Sequence, residues 1–428
     1  MDRNSVIAKC EELLAVSALY ARPFGEAFEE CCTALRSGGV SLSRASISWR
    51  LIDPVWFAQQ FLWLAASGVS HQRFTHEDAA ESDEFLNSPI YYMLTQQVPF
   101  LRSDLTDPHQ RAEYPILTEL FDEGHTEYLL FSVGFQAETA RLDIPASGLV
   151  LSFCSDCPTG FSEEEKAVLE RLRFMLSLTA RTALLSETTE TLLATYLARG
   201  AGRRVLGGQM MRGEGETVTA AIWYCDLRRS TSLCEALGTE RYIAFLNDFF
   251  AATAGPVEEA GGDILDFIGD AVLAIFPLTD NGVERGRQAT LTALSKLEEL
   301  RHKHADILGP TDSVADVMGL AIDIGDVVYG NIGIPTRLTF SVIGGSVNKV
   351  ARMERLTKKF HVPVIVTDAI AQGRPAFRPL GSHLLAGVSE PVELFALSDE
   401  YVADTIANGP PPVKTPFDVN HPAIVHSQ

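Results

Sequence analysis

Two β-forming runs in this chain each lead to an aspartate, and that pairing restricts the fold more than any other feature of the sequence. Val218 to Cys225 is rich in strand formers and stops at Asp226, within WYCDLRRST (Trp223 to Thr231). About forty residues later, within GGDILDFIGDAVLAIF (Gly261 to Phe276), Ile264 to Phe276 reads as two strands bent around Ile268-Gly269-Asp270. A hairpin of this kind can lay its tip beside the end of the first strand, which would bring Asp226 and Asp270 together. Two hard oxygen ligands so placed suit Mg²⁺ or Mn²⁺ held against phosphate oxygens. The plainer alternative is a pair of unrelated turn aspartates.

A third segment, VIGGSVNKVARMERLTK (Val342 to Lys358), runs from a Gly-Gly turn into a helix. Val347, Val350, Ala351 and Met353 are spaced to face a core, while Asn348 and Arg352 lie four apart on one face. An amide and a guanidinium in that relation can grip one phosphate. Arg suits charge that builds up on a transferring phosphoryl group, and Asn can orient a ribose or an attacking hydroxyl.

These three segments in this order, with GDVVYGNIG (Gly325 to Gly333) between the second and third, resemble the catalytic domain of class III adenylate and guanylate cyclases. The resemblance covers about Glu216 to Leu397. It implies an α+β fold with a ferredoxin-like βαββαβ core, a head-to-tail homodimer, and a two-metal reaction using Mg²⁺ or Mn²⁺. The ribose 3′-hydroxyl would attack the α-phosphate and expel pyrophosphate. By the same resemblance Asp226 and Asp270 are the metal ligands, and Asn348 and Arg352 the transition-state residues. The backbone from Leu227 to Thr231, with Leu227, Arg228, Ser230 and Thr231, would cradle phosphate. The aspartates would come from one chain, Asn348 and Arg352 from its partner.

The departures bear on the base and on the triphosphate. Adenylate cyclases of the family usually carry a lysine four residues before the second metal aspartate, where this chain has Asp266, and Asp or Thr at the position of Ser341. A carboxylate accepts hydrogen bonds and cannot donate to adenine N1, whereas guanine offers it two donors; Ser341 can serve either base. Ala386 stands where a basic residue often meets the triphosphate, and Arg229 and Ser230 replace small and aromatic residues. The pair of Asp266 and Ser341 leans chemically toward guanine, yet a shorter Asp need not reach the base and many bacterial members of the family with irregular base pockets make cyclic AMP. The resemblance therefore implies an adenylate cyclase making cyclic AMP from ATP. The alternatives are a guanylate cyclase acting on GTP and a catalytically degenerate cyclase that regulates a partner.

A chain of 428 residues exceeds one compact core, and a formal net charge of −21 argues against a nucleic-acid or anionic-membrane surface. The longest apolar stretch, Phe61 to Val69, is too short to span a bilayer, which implies a cytoplasmic enzyme. Seven scattered cysteines do not read as a disulfide framework. The punctuation suggests an N-terminal helical segment over 1–35 and a sensor domain over 36–185. A signalling helix or linker over 186–214 and the catalytic domain over 215–400 follow, then a disordered tail over 401–428. From about Gly38 the sensor reads as helix and loop, then strands at Tyr128 to Phe135 and Gly148 to Cys154 and a helix from Ser162. YLLFSVGF, GLVLSF and GFSEEEKAVLERL weakly resemble a GAF-type sensor, whose signal would be an unknown small molecule or protein.

From Ser162 to about Leu206 no proline interrupts a helix-compatible run, and Leu169, Leu172, Leu176, Ala180 and Leu184, then Leu192 to Leu197, offer a seam for a parallel dimer. The competing reading is a helix packed on its own domain. Cys154 and Cys157 have zinc or redox spacing without a second pair. His71, His76, His109 and His125 are possible ligands, and Trp49, Trp56 and Trp63 with Tyr91, Tyr92 and Phe100 could line a pocket or fill a core.

Overall fold

The computed structural model describes residues 3–135, 147–197, 199–309 and 313–410. The chain divides into two compact units, Met1–Leu192 and Leu193–Gln428.

The first unit opens with α1 (Arg3–Leu19), α2 (Phe24–Ser37), β1 (Leu42–Arg50), β2 (Trp56–Leu64) and β3 (Gly68–Thr75). Helices α3 (His76–Glu81), α4 (Asp83–Leu86) and α5 (Pro89–Gln96) lead to β4 (Phe100–Asp104), and α6 (Pro108–Arg111) and α7 (Pro115–Asp122) lead to β5 (Glu127–Gly134). Then come β6 (Gly148–Ser155) and the long α8 (Glu163–Leu197). The strands form an antiparallel sheet in the order β3-β2-β1-β6-β5-β4. Alternation along β1 sends Ala45, Ile47 and Trp49 to the face covered by α1, α2 and α8. Met93 of α5 with Leu117 and Leu120 of α7 pack on the other face.

Several expectations change here. Residues 1–35 are not a segment apart, because Leu14, Phe28, Cys31 and Leu35 enter the same core as β1 and α8. The stretch expected as helix and loop after Gly38 holds four strands, β1 to β4. The first part of the expected dimer seam is also corrected: Leu169, Leu172, Leu176, Ala180 and Leu184 are buried in their own unit, whereas Leu192 is exposed. A helical stripe can face only one partner, and this one closes the sheet. The expected tail begins with a helix, α16 (Asp399–Asn408), whose Thr405 is buried; residues 411–428 lie outside the described residues.

The second unit starts with α9 (Arg199–Leu206), β7 (Gly215–Leu227), α10 (Ser230–Leu237) and α11 (Thr239–Glu259). The hairpin β8 (Asp263–Ile268) and β9 (Ala271–Pro277), α12 (Gly282–Lys303), α13 (Val314–Val317) and β10 (Met318–Ile334) come next. β11 (Arg337–Ile343), α14 (Gly345–Phe360), β12 (Val364–Thr367), α15 (Asp368–Ala371), β13 (Phe377–His383) and β14 (Val392–Leu397) complete it before α16. The sheet runs β13-β14-β12-β10-β7-β9-β8, with β11 paired to β10. Its centre, β10-β7-β9-β8, is the fourth-first-third-second strand order of a ferredoxin-like βαββαβ core, as the resemblance implies.

Period-two alternation divides the two faces. Ala221, Trp223, Cys225 and Leu227 of β7 meet α11 and α12, whereas Ala220 and Ile222 join the core under α14. Asp226 follows the parity of Ala220 and Ile222, so it belongs to the α14 face.

Candidate active site

Register explains how Asp226 and Asp270 meet. Asp226, next to last in β7, pairs with Ala271, the first residue of β9, and Asp270 is the residue just before it in the hairpin turn. Gly269 makes that turn with φ 68°, a conformation that costs glycine little. The two carboxylates therefore share one end of the sheet. Burial, and then the charge of Asp270, push the Asp226 carboxyl up to about 6; the amide of Leu227 and the guanidiniums of Arg355 and Arg228 act in the opposite sense.

Such a pair fits a divalent cation, since a cation relieves the repulsion that raises the Asp226 carboxyl. Among the described residues no group of three or more His, Cys, Asp and Glu side chains is gathered as for a metal ion. Asp226 and Asp270 would then supply two ligands, leaving the remaining positions to phosphate and water.

Asn348 and Arg352 lie on α14, Asn348 exposed and Arg352 half-buried. Neither side chain makes a hydrogen bond or ion pair among the described residues. The guanidinium of Arg352 lies against the loop before β14, where a Cβ on Gly387 would come 3.1 Å from Nη1. The basic side chain of α14 that acts on Asp226 is Arg355, a turn beyond Arg352.

The candidate phosphate loop, Leu227 to Thr231, connects β7 to α10. The Leu227 amide donates to the Asp226 carboxylate, and that of Arg228 donates to the Val317 carbonyl at 2.8 Å. Both amides thus have partners within the chain. Arg229 takes a left-handed φ of 58° and turns the chain into α10. Ser230 and Thr231 occupy the first turn of that helix, where N–H groups have no intrahelical partner. The Ser230 hydroxyl itself is 2.7 Å from the Tyr242 hydroxyl.

For the base, Asp266 is exposed on β8 beside an irregularity in its pairing with β9. Ser341 is half-buried on β11, which packs near β8. The two base-specifying candidates thus stand on neighbouring strands.

Glu354 is the residue that motif reading passed over. Its side chain is 7% exposed, and burial, then the charge of Asp226, push its carboxyl up to about 7, while Arg228 favours the charged form. Gly319 of β10 leaves room for it, since a Cβ there would collide with Glu354 Oε1 and Thr357 Oγ1. Asn348, Arg352 and Arg355 follow one stripe at i, i+4 and i+7, whereas Glu354 lies on the buried face with Val350, Met353 and Thr357.

Several of the other candidates make contacts within their own unit. His71 stacks on Phe61 with centroids 4.3 Å apart and shares a hydrogen bond with Gln59. His125 Nδ1 lies 2.8 Å from Ser43 Oγ, and Trp49 packs against Phe24 and Phe61. Cys154 is buried, and Cys157 is a free thiol near Thr159.

Fold and site together define an α+β domain that sets two carboxylates at one end of a sheet, on the face covered by a basic helix. Residues 214–389 match the family model of the adenylate and guanylate cyclase catalytic domain. The C-terminal half of the chain carries a class III cyclase catalytic domain. Over 160 residues the chain is 31% identical to an adenylate cyclase of Anabaena cylindrica, covering 37% of this chain and 32% of that protein. It is 28% identical over 193 residues to the terminal-differentiation specific adenylate cyclase of Dictyostelium discoideum, covering 44% of this chain and 9% of that one. The chain thus spans about a third or less of the length of these relatives. Among solved structures, the adenylyl cyclase CyaB from P. aeruginosa is 21% identical, with 44% of this chain and 96% of that chain covered at a TM-score of 0.38. The guanylyl cyclase Cya2 is 25% identical, with the same coverages and a TM-score of 0.37. Among the described residues no helix is long and apolar enough to cross a membrane.

Proposed function

We propose that the chain is a nucleotide cyclase converting ATP to 3′,5′-cyclic AMP and pyrophosphate at a homodimer interface. The observation that carries this is the register placing Asp226 beside Ala271, and hence beside Asp270, on the face covered by α14. In the reaction a bond forms from the ribose 3′-oxygen to the α-phosphorus as the bond to the pyrophosphate oxygen breaks. Two divalent cations, Mg²⁺ or Mn²⁺, when bound by Asp226 and Asp270, supply charge neutralisation at the α-phosphate. The first-turn amides of α10 at Ser230 and Thr231 bind phosphate oxygens. Asn348 orients the ribose, and Arg352 meets charge developing on the phosphoryl group.

Head-to-tail pairing would let each chain supply the aspartates of one site and Asn348 and Arg352 of the other. The N-terminal unit acts in this reading as a GAF-like sensor for a small-molecule or protein signal, and α8 with α9 links it to the catalytic unit.

A second reading, a guanylate cyclase, is favoured by one observation: Asp266 is exposed on β8, a strand in contact with the β11 that carries Ser341, and a carboxylate there can accept from guanine N1 and its 2-amino group. The test is an assay of the purified chain with Mn²⁺ and each of ATP, GTP, CTP and UTP, reading cyclic product by mass. Cyclic AMP as the main product supports the first reading, and cyclic GMP the second. No product from any nucleotide supports a degenerate cyclase that binds ligand. Asp226→Ala or Asp270→Ala should lower kcat by about a hundredfold or more, since the charge neutralisation lost is worth several kcal/mol. Near-normal turnover in Mn²⁺ by either variant would remove the two-metal assignment.

A further inference from the structure

Under α14 lies an ion pair that the reaction does not use directly. Asp323 of β10 is only 3% exposed. Its Oδ1 accepts from the Thr367 hydroxyl of β12 at 2.6 Å, and its Oδ2 lies 2.7 Å from Lys349 Nζ. The lysine approaches off the direction of a well-aligned hydrogen bond, so the contact is an ion pair first. A buried carboxylate is costly unless paired, and an apolar residue would fill the place as well, so the pair calls for a role besides packing.

Its position supplies one. Lys349 directly follows Asn348 and lies three residues before Arg352, so a tether on its ammonium limits rotation of the helix about its own axis. The start of α14 has little else to hold it. Its N-cap, Gly344, offers no side chain to the helix, and Gly345 follows. Among the described residues the one other side-chain tie at that end is from Ser346 Oγ to the Asp326 carbonyl, at 3.2 Å. Farther along, Val350 and Met353 give nondirectional apolar contact. Asp323 is fixed to two strands, by its own backbone in β10 and by Thr367 of β12.

We infer that Asp323 and Lys349 are a positioning pair that sets the rotation of α14, and with it the direction in which Asn348 and Arg352 project toward the reacting phosphate. The inference rests on the cyclase reading above, in which those two residues act in the transition state. Neither member of the pair touches substrate; each acts through the helix. A helix turned out of place should cost turnover while leaving nucleotide binding, which is made largely by other groups, nearly intact.

The experiment measures kcat, KM and thermal midpoint for the full chain and for Asp323→Asn, Lys349→Met and Lys349→Arg. Lys349→Met and Asp323→Asn should lose about ten- to a hundredfold in kcat, with KM within about twofold. Lys349→Arg keeps the charge and should keep most of the rate. The Asp323→Asn/Lys349→Met double variant leaves no unpaired buried charge, so it reports the same loss should either single variant fail to fold. A kcat within about twofold of wild type in the folded double variant, or rates that follow thermal midpoint with no separation of kcat from KM, would overturn the pair. A wild-type chain that makes no cyclic nucleotide would overturn the cyclase reading and this inference with it. An active wild type with insensitive variants overturns the pair alone.

Discussion

Glu354 and Asp266 show how position alone gives two acidic side chains different work. Glu354 is buried beside Asp226 with its carboxyl raised from 4.5 to about 7. A raised carboxyl is protonated in the folded chain at pH values where the unfolded chain has already lost the proton. Stability is therefore fully present below about 4.5, falls as pH rises through about 7, and is flat above. The shift corresponds to on the order of 3 kcal/mol, so Glu354→Gln, which removes the ionisation, should gain stability relative to wild type between pH 5 and 8. Urea denaturation at both pH values measures the gap, and an equal gap at both would show that Glu354 does not titrate in this range. Asp266, exposed on β8, faces a different task. If it reads the purine edge, Asp266→Lys restores a donor toward adenine N1 and moves the ratio of kcat/KM for ATP over GTP upward by roughly ten- to a hundredfold, from a contact worth about 1–3 kcal/mol. An unchanged ratio would take Asp266 out of the base pocket.

Among the elements, the hairpin of β8 and β9 and the helix α14 carry the two halves of the proposed chemistry. If the site is shared across a two-fold, a chain with Asp270→Ala and a chain with Arg352→Ala should each be inactive alone and regain activity when mixed, because one site of the heterodimer is then intact. No recovery in a verified mixed dimer would place the whole site within one chain. The hairpin was legible because a short apolar run, an Ile-Gly-Asp turn and a second apolar run leave few other folds, and α14 because its apolar spacing matches a helical face. The strands β1 to β4 were harder to read. In β1 the alternation of Arg44, Ser46 and Ser48 with Ala45, Ile47 and Trp49 is a strand pattern, but its polar half faces the side packed by α5 and α7, so the run resembles an exposed segment. On α8 the period was right and the partner wrong, because spacing finds an apolar stripe without saying what covers it. Phe174, Leu178 and Leu185 stay exposed on another stripe, and Leu192, from the last part of the expected seam, is exposed as well. Glu354 and the Asp323–Lys349 pair escaped notice because nothing local distinguishes a buried acid from a solvated one; the crossing of β10 under α14 makes the difference.

At the scale of the molecule, the cyclase segment occupies the second unit, and the first contains none of its motifs. Helix α8 joins them covalently, running from Glu163 to Leu197 through the division between Leu192 and Leu193. Its course in the first unit is pinned late as well as early. Gln59 Nε2 donates to Glu187 Oε2 at 2.7 Å, and Arg73 Nη2 donates to Glu187 Oε1 at 2.5 Å, so the helix is tied to β2 and β3 one residue before Thr188. An insertion after Thr188 leaves those ties in place and turns everything beyond it by about 100° per residue. If α8 transmits the state of the first unit, insertions of one to three residues should change kcat several-fold while nucleotide KM moves little. A seven-residue insertion returns the helix face to within about 20° and should restore the wild-type rate. Steady-state rates of the four insertion variants, with the dimer verified for each, make the comparison. A rate that ignores the length of the insertion would make α8 a passive spacer, and the first unit would then have to act by another route or not at all.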